Sequence, residues 1–238
     1  MWLIVLILVL ILLFGVPPAT AVGTDLLYAA ITNTGGAWVH NRRGNVDWHL
    51  VGWLAASSLP TAALTVWVLK ALDLRDDHFA ALISTVLGFA LILTALAIFF
   101  RDRFRQWHRR RGRTADGRRP TRLILAIVVT GVILGLLVTI SSVGAGVICM
   151  VALLWLFPDR PSVKLVGVDI AHAVPLTAVA GLGHVYLGTV DFVLLGSLLL
   201  GSLPGIYIGS HVSSVFPDRI LRPTLACMLL LVGGRLVF

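Results

Sequence analysis

Long apolar runs separated by short polar stretches dominate the chain. The runs cover about 2–16, 18–40, 48–72, 78–100, 122–157, 163–186, 191–214 and 219–237. A helix that crosses a bilayer needs about 20 apolar residues, whereas the strands of a membrane barrel alternate apolar and polar positions. Because these runs are continuously apolar, the pattern predicts an all-α polytopic membrane protein with about eight transmembrane helices, including a broken one.

The composition agrees with a membrane protein. Hydrophobic residues make up 58% of the chain and charged residues 13%, compared with about 25% charged residues in soluble domains. Cys149 and Cys227 lie inside apolar runs and are interpreted as buried residues rather than as a disulfide or a metal pair. The first run lacks the basic start of a signal peptide, so we interpret 1–16 as a retained helix. We expect no cofactor and no metal.

The stretch 17–60 recurs at 161–204 without a gap. At this offset Gly23 matches Gly167, Asp25 matches Asp169, His40 matches His184, and Asp47 matches Asp191. Such self-similarity indicates a duplicated unit. The sequence therefore predicts two tandem helical repeats. Residues 1–100 form the first transmembrane repeat, shortened at its N-terminus, 101–121 form a basic cytoplasmic loop, and 122–238 form the second repeat.

The basic residues are concentrated in two loops. Residues 101–122 hold ten Arg against two Asp, and Arg42 and Arg43 lie in a shorter basic loop two crossings earlier. Since basic loops stay in the cytoplasm, both are expected on that side of the plasma membrane (bacterial inner membrane), and the acidic stretch 73–77 outside. Contact with anionic lipid headgroups explains such a loop, so the lipid bilayer is the expected partner and nucleic acid is not.

The run 122–157 is too long for one straight crossing and is interrupted by small residues at 141–146. Two full spans would invert the second half relative to the first. One crossing by a broken helix would keep the halves parallel and place 184–190 on the cytoplasmic side with 40–46. We favour the single broken crossing. The repeat aligns Met1 with Ala145, so the first half has no copy of this interruption.

Several short motifs stand out in the two halves. GNVDW at 44–48 matches GTVD at 188–191, and SLP occurs at both 58–60 and 202–204, while PPATAVGT at 17–24 and SVGAG at 142–146 occur once each. Together they resemble the TauE/SafE sulfite exporter family of membrane permeases over nearly the whole chain. The resemblance implies a multi-pass transporter of sulfur-containing anions such as sulfite, sulfonates or related small organic acids. Asn33 stands where a Lys is expected in relatives.

The candidate substrate-binding residues are polar or small residues within the apolar runs. A carboxylate in a membrane span is costly unless it is paired, so Asp25 and Asp169 are either caps of helices broken at the preceding glycine or parts of a site at the repeat interface. The segment 141–146 offers hydroxyls and open backbone N–H groups to an oxyanion, or close helix packing. The full set is Thr24, Asp25, Asn33, Ser141, Ser142, Gly144, Gly146, Asp169 and His172.

Proton coupling is expected to depend on Asp169 more than on Asp25. Only the second half keeps the interrupted segment, so a helix end and open N–H groups would converge on one anion there, with a protonated Asp169 as a further donor. His40 and His184, at helix ends, are candidates for gating the cytoplasmic mouth or are simple interface residues. Asp47 and Asp191 are interpreted as helix N-caps.

An enzymatic function is not expected. The chain contains no Glu, no Gly-x-Ser-x-Gly or His-Glu-x-x-His motif and no phosphate-binding loop. The expected partner is a small anionic substrate, and the oligomeric state stays open. The alternative is a membrane assembly partner or sensor that transports nothing.

The charge pattern makes a testable prediction about topology. In a background without the two native cysteines, an impermeant thiol reagent added to intact cells should label a Cys at Asp76 and miss one at Arg43, because basic loops face the cytoplasm. Mass spectrometry of the labelled protein measures this. The reverse labelling pattern would refute the assigned orientation.

Overall fold

The computed structural model describes residues 16–71, 85–92, 95–96, 120–143, 146–157, 160–202 and 227. All regular structure in this part of the chain is helical, which confirms the predicted all-α class. Three helical segments, Trp48–Ala71, Leu123–Ser141 and Ser162–Tyr186, are long and apolar enough to cross a membrane. The predicted helix at 2–16, most of 78–100, the loop 101–119 and the chain after 202, apart from Cys227, lie outside the described residues. The helices are α1 (Pro18–Arg42), α2 (Trp48–Ala71), α3 (85–92), α4 (Pro120–Ser141), α5 (Val147–Leu156), α6 (Ser162–Tyr186) and α7 (Phe192–Ser202).

Helices α1 and α6 begin and end in the same way. Both contain 25 residues and follow a proline, Pro17 with φ −54° and ψ 136° and Pro161 with φ −56° and ψ 131°. A proline fits here because its fixed φ suits a helix start. Both helices end at a turn that needs a left-handed glycine, Gly44 with φ 64° and Gly188 with φ 73°. These matches follow the sequence repeat, while the tandem repeat of the whole chain stays a prediction.

Helices α1 and α6 pack closely and run antiparallel. Gly36, late in α1, faces Ile170 early in α6, and Gly181, late in α6, faces Leu27 early in α1. The loop after each helix consequently reaches the beginning of the other helix. The expectation that 184–190 lies on the same side as 40–46 is therefore wrong, because the two loops lie at opposite ends of the helix pair.

Helix α2 packs between α4 and α6. Gly131 and Gly135 of α4 lie against Leu54 and Ser58 of α2, where a Cβ would come within 2.8 Å and 2.5 Å of the two carbonyl oxygens. The ascending numbers on both helices show that α2 and α4 run parallel. Apolar helices gain little from leaving lipid, so close backbone approach at small residues is how such helices associate.

The run 122–157 does not cross once as a broken helix, and that expectation is wrong. Since α4 runs parallel to α2, it starts at the same end of the bundle as α2 and the loop 43–47. The chain then reverses after Ser141, and the ten-residue helix α5 returns over about 15 Å. It is followed by Arg160, which forms an ion pair with Asp47 at the starting end.

The aliphatic core lies where α1, α2, α4, α5 and α6 meet. Its fully buried side chains include Leu54, Leu134, Leu153 and Leu176. Large apolar side chains also cover the outside of the bundle, among them Trp53, Leu64, Trp67, Leu125 and Leu182. An apolar exterior of this kind suits contact with lipid.

The close approach of the two helices can be tested at its glycines. A Cβ on Gly23 would lie 2.6 Å from the Thr189 carbonyl oxygen, and one on Gly167 would collide with the Asn45 carbonyl. We expect Gly23→Ala and Gly167→Ala each to destabilise the purified protein by about 1–3 kcal/mol, because overpacking moves backbone. Thermal unfolding in detergent measures the effect.

Gly52→Ala is the matched control for this prediction. Gly52 also lies inside a helix, but nothing lies within 4 Å of its Cβ position, so the change should be neutral or slightly stabilising. Equal behaviour of all three variants would contradict the packing described here.

Candidate functional site

The candidate site lies at the reversal, the segment between α4 and α5 where the chain turns back on itself. Ser142 follows α4 with φ 54°, a left-handed conformation that is uncommon for residues other than glycine. Its N–H donates to the Val138 carbonyl at 2.7 Å. Helix α5 starts after Gly146, which has no side chain to cap its first N–H groups. The reversal therefore places the carbonyl end of one helix near the N–H end of another. Gly144 lies outside the described residues.

Asp25 of α1 lies at the α4 side of the reversal. The Ser142 hydroxyl donates to Asp25 Oδ2 at 2.7 Å. The carboxylate is 1% exposed, and its Oδ1 atom has no hydrogen-bond partner. Within the described residues the ion pair found is Arg160 with Asp47, so no cationic side chain pairs with Asp25 there.

Asp169 of α6 lies at the α5 side of the reversal. Cys149, in the first turn of α5, is its interacting neighbour. Asp169 is also buried, and its Oδ1 atom has no hydrogen-bond partner. In the antiparallel register of α1 and α6 the two aspartates are separated by roughly 20 Å along the helix axis. The structure thus places one aspartate on each side of the reversal and does not bring them together.

Neither aspartate caps a broken helix, so that interpretation is wrong. Helices α1 and α6 continue through Gly23 and Gly167 without interruption. These glycines instead make room for the carbonyls of Thr189 and Asn45 from the opposite loops. Within the residues that the structure describes, an apolar run is interrupted by two helix ends at the α4–α5 reversal instead.

Two hydroxyls in the candidate set already have partners. Ser141 Oγ donates to the Leu137 carbonyl at 2.7 Å within its own helix. Thr24 Oγ1 accepts from the Asp191 N–H at 3.1 Å and so joins α1 to the start of α7. Ser142 donates to Asp25, so all three hydroxyls have partners in this structure, and their role in anion binding stays a prediction. The first N–H groups of α5 follow Gly146, which has no side chain to cap them.

His172 pairs with a serine rather than with Asp169. Its Nε2 lies 2.8 Å from Ser58 Oγ in the buried contact between α6 and α2, and its Nδ1 has no partner. Ser58 belongs to the SLP motif, so the sequence signalled its position but not its partner. Thr139 and Cys149 were missed, because nothing in an apolar run distinguishes such residues from packing residues.

The two histidines proposed as gates lie at opposite ends of the bundle. His184 is buried, donates from Nε2 to the Thr139 carbonyl at 2.9 Å, and has Nδ1 2.8 Å from Thr189 Oγ1. His40 lies in the last turn of α1, and its buried Nδ1 has no hydrogen-bond partner among the described residues. The prediction that both histidines gate the cytoplasmic mouth is wrong, because the antiparallel α1 and α6 place them at opposite ends of the bundle. Asn33 is two turns beyond Asp25 on α1, about 12 Å away, and is half-buried.

Asp47 and Asp191 are N-caps, as predicted. Asp47 Oδ1 accepts from the Leu50 N–H at 3.3 Å, and Asp191 Oδ1 accepts from the N–H groups of Val193 and Leu194 at 2.9 Å. Arg160 also donates to Asp47 Oδ2. This hydrogen bond, with the Arg160 charge, lowers the pKa of Asp47 from its ordinary 3.8.

The reversal combines two opposite electrostatic environments. The last carbonyls of α4 carry the negative end of a helix dipole and lie beside Asp25, which suits a cation. The first N–H groups of α5 carry the positive end of a dipole and are uncapped, which suits an anion. Interrupted helices that present both ends to a buried site are a common design in secondary transporters.

Comparison with known proteins identifies the family. Residues 3–236 match the family described as "Sulfite exporter TauE/SafE". The chain belongs to the TauE/SafE family. A relative in Bacillus subtilis (strain 168), named "Probable membrane transporter protein YjnA", is 35% identical over 231 residues, which cover 96% of this chain and 89% of the relative. This TauE/SafE chain is accordingly a member of a membrane transporter family.

A second Bacillus subtilis relative is more distant. It is named "Probable membrane transporter protein YdhB" and is 28% identical over 233 residues, which cover 93% of this chain and 88% of the relative. No solved structure matches this TauE/SafE chain.

The Arg160–Asp47 ion pair makes a prediction about pH. Because the pKa of Asp47 is lowered in the folded protein, the pair stabilises the fold above pH 3.8 and is lost as pH falls through the lowered pKa. Arg160→Gln should therefore lower the unfolding temperature at pH 6 more than at pH 3. The loss should stay below about 1 kcal/mol, because both side chains are partly exposed.

Lys164→Gln is the matched control for this pair. It removes a positive charge at the same end of the bundle, and among the described residues Lys164 makes no ion pair. Thermal unfolding in detergent at several pH values compares the two variants. If they respond to pH alike, the pair contributes nothing specific.

Proposed function

We propose that this protein is a permease that moves small sulfur-containing anions, of the sulfite and sulfonate class or related organic acids, across the bacterial inner membrane. The observation that carries the proposal is the start of α5 at the reversal, where the N-cap residue Gly146 has no side chain to cap the first N–H groups. Open backbone N–H groups bind an oxyanion without a cationic side chain. Membership of the TauE/SafE family supports the sulfur-containing substrate class.

The second part of the proposal concerns architecture. We propose about eight transmembrane helices arranged as two tandem repeats, 1–100 and 122–238. Because α1 and α6 run antiparallel, the two repeats would be inverted relative to each other rather than parallel. Two equivalent contacts support this arrangement. Gly23 contacts the Thr189 carbonyl, and Gly167, at the matching position of the repeat, contacts the Asn45 carbonyl. In the thiol-labelling experiment, a Cys at Leu187 would then be reached from outside while one at Arg43 is not.

Flux in sealed vesicles tests the transport function. Purified protein is reconstituted into liposomes, and entry of radiolabelled sulfite or a labelled sulfonate is followed against protein-free liposomes. Saturable flux that excess unlabelled sulfite inhibits is expected. Protein that is folded but passes none of these anions would contradict the proposal and favour the alternative of an assembly partner or sensor.

Asp169 is proposed to couple the anion to a proton. It lies beside the first turn of α5 with one unpartnered oxygen, so the protonated acid can add a hydrogen bond to an anion held by the α5 N–H groups. Flux should rise on the acidic side. Asp169→Asn, which always donates, should keep anion binding and lose most of the pH dependence.

Asp25→Asn is the comparison for Asp169→Asn. Asp25 occupies the matching position in the first half but lies at the other side of the reversal, so this variant should keep the pH dependence. Initial rates from pH 5 to 8 measure both. Unchanged pH dependence in Asp169→Asn would remove Asp169 from proton coupling without affecting the flux result.

A further inference from the structure

Asp25 is a buried acid, and no cationic side chain among the described residues pairs with it. Its side chain is 1% exposed, and Oδ1 has no hydrogen-bond partner. An ionised carboxylate inside a membrane protein is costly unless it is protonated or paired with a positive ligand.

The groups around Asp25 supply oxygen rather than nitrogen. Ser142 Oγ lies 2.7 Å from Asp25 Oδ2. Ser142 directly follows α4, so the last carbonyl groups of that helix, the negative end of its dipole, are close to Ser142 along the chain. Of these, the Val138 and Thr139 carbonyls already accept hydrogen bonds from the Ser142 N–H and from His184 Nε2. A carboxylate, a hydroxyl and backbone carbonyls are the ligands preferred by hard cations.

We propose that Asp25, Ser142 and the C-terminal carbonyls of α4 bind a sodium ion. The inference rests on the proposed permease function for its role, which is to couple the sodium gradient to anion movement. Bound sodium would balance the charge of an ionised Asp25. It would thereby remove the repulsion of an anion held at the N-terminus of α5 on the other side of the reversal.

A monovalent cation is expected at this site. One carboxylate lies at the α4 side, and the second acid, Asp169, lies at the α5 side beside Cys149. Divalent cations are usually held by several carboxylates, and the described residues contain no group of three metal-ligating side chains. A monovalent cation on α4 balances the ionised Asp25 carboxylate, so an anion on α5 then faces no net side-chain charge at the α4 side of the reversal.

Stability measures sodium binding independently of transport. Thermal unfolding of the purified full chain is compared in equal concentrations of NaCl, KCl and N-methylglucamine chloride. Sodium should raise the unfolding temperature by about 3–5 °C for each tenfold increase above the dissociation constant, because it binds only the folded state. Equal unfolding temperatures in the three salts would overturn the proposal.

Two substitutions assign the effect to the site. Asp25→Asn removes the charge, and Ser142→Gly removes the hydroxyl while tolerating φ 54°; each should abolish or strongly reduce the sodium shift. Thr130→Ala, which removes an α4 hydroxyl bonded to the Ala126 carbonyl, should keep it. If the shift survives in both site variants, sodium binds elsewhere and the assignment is wrong.

Flux separates this inference from the proposed function. In proteoliposomes an inward sodium gradient should accelerate anion entry several-fold over a potassium gradient, and Asp25→Asn should lose that acceleration while responding to pH. A sodium shift in stability without any anion flux supports the site and contradicts the permease. Flux that follows pH and ignores sodium, with no sodium shift in stability, overturns the sodium site and leaves the permease standing.

Discussion

The reciprocal contact between α1 and α6 is the constraint on which the rest of the structure depends. Gly23 receives the Thr189 carbonyl, and Gly167 receives the Asn45 carbonyl, so the loop that follows each helix packs on the start of the other. In lipid the hydrophobic effect does not bring helices together, and such close backbone approach supplies the contact instead. This contact makes the two helices antiparallel and places their loops at opposite ends.

The position of the reversal between α4 and α5 follows from that arrangement. Helix α2 packs on α6, and α4 lies along α2 through Gly131 and Gly135. The end of α4 therefore arrives beside Asp25, and the start of α5 arrives beside Asp169. The two acids are equivalent in the sequence repeat, but one faces a carbonyl end and the other an N–H end. Their electrostatic surroundings are opposite for this reason.

Some of the fold could be predicted because it is local. The apolar runs predicted spans at 18–40, 48–72 and 163–186, and the helices are Pro18–Arg42, Trp48–Ala71 and Ser162–Tyr186. Prolines at their starts and left-handed glycines at their ends act on neighbouring residues, so a single sequence reveals them. The N-caps Asp47 and Asp191 were found in the same way. The single broken crossing was wrong, since the direction of the chain after Ser142 depends on distant packing.

The sequence by itself determined that this is a helical membrane protein of the TauE/SafE kind, that its polar residues concentrate at 24–25, 141–146 and 169–172, and that its two halves share a pattern. Apolar periodicity, turn residues and repeated motifs carry that information without reference to distant contacts. Only the tertiary structure decided that Ser142 holds Asp25, that Ser58 holds His172, and that Cys149 lies beside Asp169. Each of these contacts joins different helices, and their pairing depends on the antiparallel packing of α1 and α6, which no local pattern encodes.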